Sequence, residues 1–70
     1  MSIIVASITG IVWRILVTEG SKVKVGQDVV IIESMKMEIP ITAEEDGIVK
    51  KILIQEGDFV NDSDVLVELE

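Results

Sequence analysis

A chain of 70 residues has room for one domain, 1–70, and its core must be thin, because a domain of this size hides only about 60% of the surface its unfolded chain exposes. With no Cys and no His, disulfides and thiolate or imidazole metal sites are excluded. A net charge of −7, with the six basic residues Arg14, Lys22, Lys24, Lys36, Lys50 and Lys51 scattered among acids, argues against nucleic acid and against anionic membranes as partners.

Hydrophobic residues make up 49% of the chain, mostly Val and Ile. Their branched side chains are stiff at χ1 and pack well on pleated sheets. The apolar start, Met1–Ile8, lacks a basic leader and runs on into strand-like sequence, so no signal peptide and a cytoplasmic location are expected. Runs rich in Ile and Val follow in order: Ser2–Ile8, Ile11–Thr18, Asp28–Ser34, Met37–Ala43, Ile48–Gln55 and Val65–Leu69. Valines 23, 25 and 60 suggest short strand pieces in the connecting loops. Turn signals separate the runs at Gly10, Glu19-Gly20-Ser21, Gly26-Gln27-Asp28, Glu44–Gly47, Glu56-Gly57-Asp58 and Asn61–Asp64. Many short, evenly spaced strands predict a sandwich or barrel with no helix.

The chain repeats itself at an offset of 37 residues. Identical pairs are Ala6/Ala43, Gly10/Gly47, Ile11/Ile48, Val12/Val49, Ile15/Ile52, Leu16/Leu53, Glu19/Glu56, Gly20/Gly57, Val23/Val60, Val30/Val67 and Glu33/Glu70. Two copies are too few for a solenoid. They predict two similar halves facing each other about a pseudo-twofold axis, each burying the other's apolar face. Residues 34–42 have no partner in the repeat, and function is sought there.

If Asp28–Ser34 pairs with Met37–Ala43, only Met35-Lys36 joins them. Ser34 then faces Met37, Glu33 faces Glu38, and Ile32 faces Ile39. Two-residue hairpin turns need positive φ and favour Gly, Asn or Asp. Met and Lys break that rule, which suggests that function chose them. Met35 on such a turn is expected to be exposed, a soft contact surface. Glu33 and Glu38 either point to solvent or are read by a partner. Trp13, whose repeat mate is Lys50, reads as partial core, and Pro40 suits an edge strand.

Glu33-Ser34-Met35-Lys36-Met37-Glu38 resembles the attachment motif of the biotinyl domains of biotin-dependent carboxylases, in which the Lys between two Mets is modified. The commonest form of the motif has Ala where this chain has Ser34. The resemblance extends over the whole chain, through the turns at Gly20, Gly26 and 56–60. It implies an all-β fold, a flattened barrel-sandwich hybrid of two four-stranded antiparallel sheets with pseudo-twofold symmetry. The protruding loop of the best-known bacterial carrier has no room between Gly10 and Gly26. Beginning with Met and ending where the domain should end, the chain is similar to the free-standing biotin/lipoyl attachment proteins.

The resemblance implies covalent biotin on Lys36 as the cofactor, with Glu33, Ser34, Met35, Met37 and Glu38 as recognition residues. It implies a monomeric carrier that shuttles carboxybiotin between biotin carboxylase and carboxyltransferase sites after modification by a biotin protein ligase. The chain has no catalytic set of its own: the Ser residues lack a base. Asp62 and Asp64 lack the Gly and Glu that a calcium loop requires, so no metal site is expected. Lipoyl domains share the fold and the Lys position but usually place Asp before the Lys and Ala after it. A lipoyl or dual carrier, and an unmodified interaction domain, remain as alternatives.

Overall fold

A computed structural model describes residues 2–70; Met1, where the apolar N-terminal run begins, lies outside the described residues. The strands are β1 (Ser2–Val5), β2 (Gly10–Ile15), β3 (Lys22–Val23), β4 (Asp28–Ser34), β5 (Met37–Thr42), β6 (Gly47–Ile52), β7 (Phe59–Val60) and β8 (Val65–Leu69). Among the described residues there is no helix, hence none long and apolar enough to cross a membrane. The expected strand pieces at Val23 and Val60 are present, whereas Val25 sits exposed in a turn.

The strands form two antiparallel four-stranded sheets, ordered β1-β8-β6-β3 and β5-β4-β2-β7. The repeat maps β1 to β5, β2 to β6, β3 to β7 and β4 to β8, and so exchanges one sheet for the other; residues 39–42, which lack identical mates in the sequence, are therefore structural mates of 2–5, and the unmatched segment shrinks to the hairpin tip. The expected packing of half against half is therefore corrected to an interleaved one. Each sheet takes two strands from each half. Interleaving lets every long strand sit beside one from the other half, which extends the hydrogen-bonded ladders beyond what one half could supply.

The pseudo-twofold relation holds at the level of single hydrogen bonds. Gly20 N–H donates to Val49 O at 2.8 Å, and Gly57 N–H to Val12 O at 2.8 Å. Ala6 N–H reaches Asp64 O, and Ala43 N–H reaches Gln27 O, both at 2.9 Å. The identical pair Glu19/Glu56 has the same task twice. Glu56 Oε2 accepts from Ile15 N–H at 3.0 Å, and Glu19 Oε2 from Ile52 N–H at 3.3 Å. β-Bulges match as well: Trp13 is the extra residue between β2 and β4, and its mate Lys50 is the extra residue between β6 and β8. Bulges bend strands and raise their twist, which helps two short sheets wrap one core.

That core is aliphatic. Ile4, Val12, Val29, Val30, Ile32, Ile41, Val49, Leu66, Val67 and Leu69 are buried between the sheets, with Ala6 and Ala43 at the corners. No polar or charged side chain among the described residues is buried. Trp13 is half-buried, under the Arg14 guanidinium 4.5 Å from its ring centroid, a cation–π arrangement.

Candidate functional site

The hairpin is built on the middle of a sheet. β4 is paired with β2 on one side and β5 on the other, so its end is fixed from both flanks. The register is the expected one: Ile32 faces Ile39, Glu33 faces Glu38, and Ser34 faces Met37. β5 is an edge strand and carries Pro40, where a missing N–H is tolerated. Met35 and Lys36 have φ of 52° and 64°, as a type I′ turn requires of both central residues. Neither is Gly, Asn or Asp, and the left-handed region costs such residues roughly 1–2 kcal/mol each.

What the turn gains is display. Lys36 is exposed, Met35 is 87% exposed and Met37 is 56% exposed. Glu33 and Glu38 are exposed and directly opposite each other, while Ser34 is half-buried. All six motif residues thus lie together at one end of the molecule. Like charges in opposed positions destabilise a sheet slightly, so the glutamates do not serve the fold.

Gly10 holds the base of the hairpin close. A Cβ there would collide with the carbonyl oxygen of Glu33 and stand 2.8 Å from Ile32 Cγ2. The Gly lets β2 start against β4 beneath the motif. Sequence reasoning missed this task, although Gly10 was visible as one of the repeated glycines. It also missed Ile11 and Phe59, which lie beside Glu33. Ile11 is opposite Glu33 in one direction and opposite Phe59 in the other. Across the exposed face the row reads Phe59, Ile11, Glu33, Glu38. The signal in the sequence was the mismatch between Phe59 and its mate Lys22.

The surroundings of Lys36 suit a group carried on an arm in solvent. Surface clefts of about 300 and 310 Å³ lie between β1 and β5 and beside β3, and no residue of 33–38 lines either. An attached cofactor would hang from the turn by the lysine side chain, flanked by the two methionines.

Comparison with known proteins fits this geometry. Residues 2–69 match the biotin/lipoyl family model described as "Biotin-requiring enzyme". The chain is 55% identical over 60 residues to the biotin/lipoyl attachment protein of Bacillus subtilis (strain 168), covering 86% of this chain and 82% of that protein. It is 41% identical over 69 residues to the human mitochondrial propionyl-CoA carboxylase alpha chain, covering 99% of this chain but only 10% of that one. Among solved structures, urea carboxylase of Kluyveromyces lactis superposes with a TM-score of 0.92 at 33% identity, over 99% of this chain and 6% of that one. With the hairpin, the interleaved sheets and these matches in agreement, the chain belongs to the biotin/lipoyl attachment family.

Proposed function

We propose that residues 1–70 act as one attachment domain that carries biotin in amide linkage to Nζ of Lys36. The observation that carries this reading is the exposed turn with Lys36 between two exposed methionines, in a chain of this family. The chain is a carrier and not a catalyst, in keeping with its similarity to a protein named for attachment. A lysine amine is cationic at neutral pH and only its neutral form is nucleophilic. A biotin protein ligase therefore has to bind the hairpin and take a proton. Nζ then attacks the acyl carbon of biotinyl-adenylate, the amide forms, and AMP leaves. Attached biotin supplies a ureido nitrogen that accepts a carboxyl group, and the partners for that exchange are a biotin carboxylase and a carboxyltransferase. Relatives that contain such a domain are carboxylases. The carrier works as a monomer in the cytoplasm. The pinned turn keeps ordering costs low on docking, while the lysine arm gives reach.

The test is incubation with a biotin ligase, ATP and biotin, followed by intact-mass and peptide mapping. One biotin per chain on Lys36 and none on Lys36→Ala is the expected result. Modification of another lysine would refute the assignment.

A second reading is a dual biotin and lipoyl carrier, favoured by the name of the Bacillus relative. Met35 and Met37 are the side chains nearest Lys36 that differ from the lipoyl pattern. Met35→Asp with Met37→Ala is expected to slow biotinylation and speed lipoylation, because the added carboxylate suits one ligase and leaves an unpaired charge on the other. Glu33→Lys is expected to slow the biotin ligase by reversing a charge beside the turn. Equal initial rates of both ligases on all variants would show that neither reads these residues.

A further inference from the structure

The internal repeat supplies a control for the surface. Mates in the two halves meet the same backbone and the same sheet position. A change of character between exposed mates is therefore not a requirement of folding. On the sheet without the hairpin, Lys22 is opposite Ile48, and Glu70 N–H bonds Ile48 O at 2.9 Å. That row reads Lys22, Ile48, Glu70, with Ile48 40% exposed between two charged residues.

On the hairpin sheet the corresponding row is Phe59, Ile11, Glu33, continued by Glu38. Phe59 is 62% exposed and Ile11 is 39% exposed. Ile11 is thus no more exposed than its mate Ile48, and the difference between the rows is Phe59 in place of Lys22, which makes an apolar pair adjoining two opposed carboxylates. The row crosses three interstrand gaps, about 14 Å. An aromatic anchor beside a charged rim is the anatomy of a protein interface, not of a solvated sheet face. Its charge fits one occupant in particular. An enzyme that holds an acyl-adenylate needs cationic groups about the phosphate, and the face beside Lys36 is acidic, so the two are complementary in charge.

We propose that the outer face of the hairpin sheet is the docking surface for the ligase that modifies Lys36. Phe59 and Ile11 seat on an apolar patch of that enzyme, and Glu33 with Glu38 meets a cationic side chain beside it. This rests on the reading of Lys36 as the attachment site. It adds an anchor two strands away from the hairpin strands.

The repeat also provides the variants. Phe59→Lys installs the residue its mate position already accepts, and Lys22→Phe is the reciprocal control. Initial rates of biotinylation are measured over a range of carrier concentrations, with thermal melting of each variant. For Phe59→Lys, kcat/KM is expected to fall roughly tenfold or more, through KM, with kcat unchanged. Lys22→Phe is expected to match wild type. A wild-type rate for Phe59→Lys, or a fall in kcat alone, overturns the proposal. A normal ligase rate combined with slowed carboxylation of the biotinylated variant assigns the face to the carboxylase and overturns it too. Should Phe59→Lys melt early, amide shifts of the wild-type chain on adding ligase decide. Perturbation of residues 11, 33, 38 and 59 with 22, 48 and 70 unmoved supports the surface, and the reverse pattern overturns it. Wild type left unmodified by the ligase would instead refute the reading of Lys36.

Discussion

The two halves of the chain are copies in their backbone and differ on their surface. β4 runs on through Met35-Lys36 into β5. Below the tips, the turn hydrogen bonds, the bulges and the carboxylate contacts of Glu19 and Glu56 come in matched pairs. Above them, the hairpin displays an amine between methionines. Features present twice serve the fold, and features present once need another reason. The same division separates Trp13-Arg14 from Lys50-Lys51 and Phe59 from Lys22.

The largest test of that division is at the paired glycines. Gly10→Ala drives a methyl into the Glu33 carbonyl on a strand held from both sides. It is expected to cost about 2–3 kcal/mol. At Gly47 the added atom would lie 3.2 Å from the oxygen of Glu70, a milder contact that a shift of a few tenths of an ångström relieves. Gly47→Ala is expected to be close to neutral. Urea unfolding of both variants checks this, and equal losses would mean that the hairpin base is no tighter than its mate.

A smaller effect is expected where the copies diverge in residue but not in shape. Gly26 and Ser63 both have positive φ, 86° and 75°, and their N–H groups bond Ala43 O and Ala6 O, each at 2.8 Å. Ser63→Gly is expected to stabilise by up to about 1 kcal/mol and Gly26→Ser to destabilise by a similar amount. Midpoints shifting together in one direction would break the equivalence of the two turns.

Smaller still is the change at the tip itself. Met35→Asn suits φ of 52° and is expected to add roughly 0.5–1 kcal/mol of stability while slowing biotinylation. A stabilised variant that is modified at the wild-type rate would remove the functional reason for Met at this turn. The least disturbance is expected from modification: amide shifts should move mainly within residues 33–38. Widespread shifts through 10–17 and 48–54 would mean that the arm folds back onto the sheets.

The hairpin register could be read from the residues because its contacts are local. Two strands with two residues between them can pair in few ways, and placing Ile32 against Ile39 on the buried side excludes a one-residue slip. Interleaving could not be read the same way. Identity at a fixed offset says which positions are equivalent, and says nothing about which strands are neighbours. Glu19 and Glu56 were visible as a repeated pair, but their backbone partners lie 33 and 41 residues away. Phe59 was hidden for a simpler reason. β7 has only two residues, too few for alternation to show which one faces water.

Interleaving also bears on when this carrier becomes usable during its synthesis. The hairpin can close early, but the inner face of its sheet, with Val12, Ile32 and Ile41, is covered by β6 and β8 from the second half. The first-half strands of the facing sheet, β1 and β3, join it only through β8 and β6, so a growing chain cannot complete that cover until both have left the ribosome. A fixed lysine tip is thus offered only once β6 and β8 are in place, and a fragment ending after β5 would carry the whole motif without the platform that presents it.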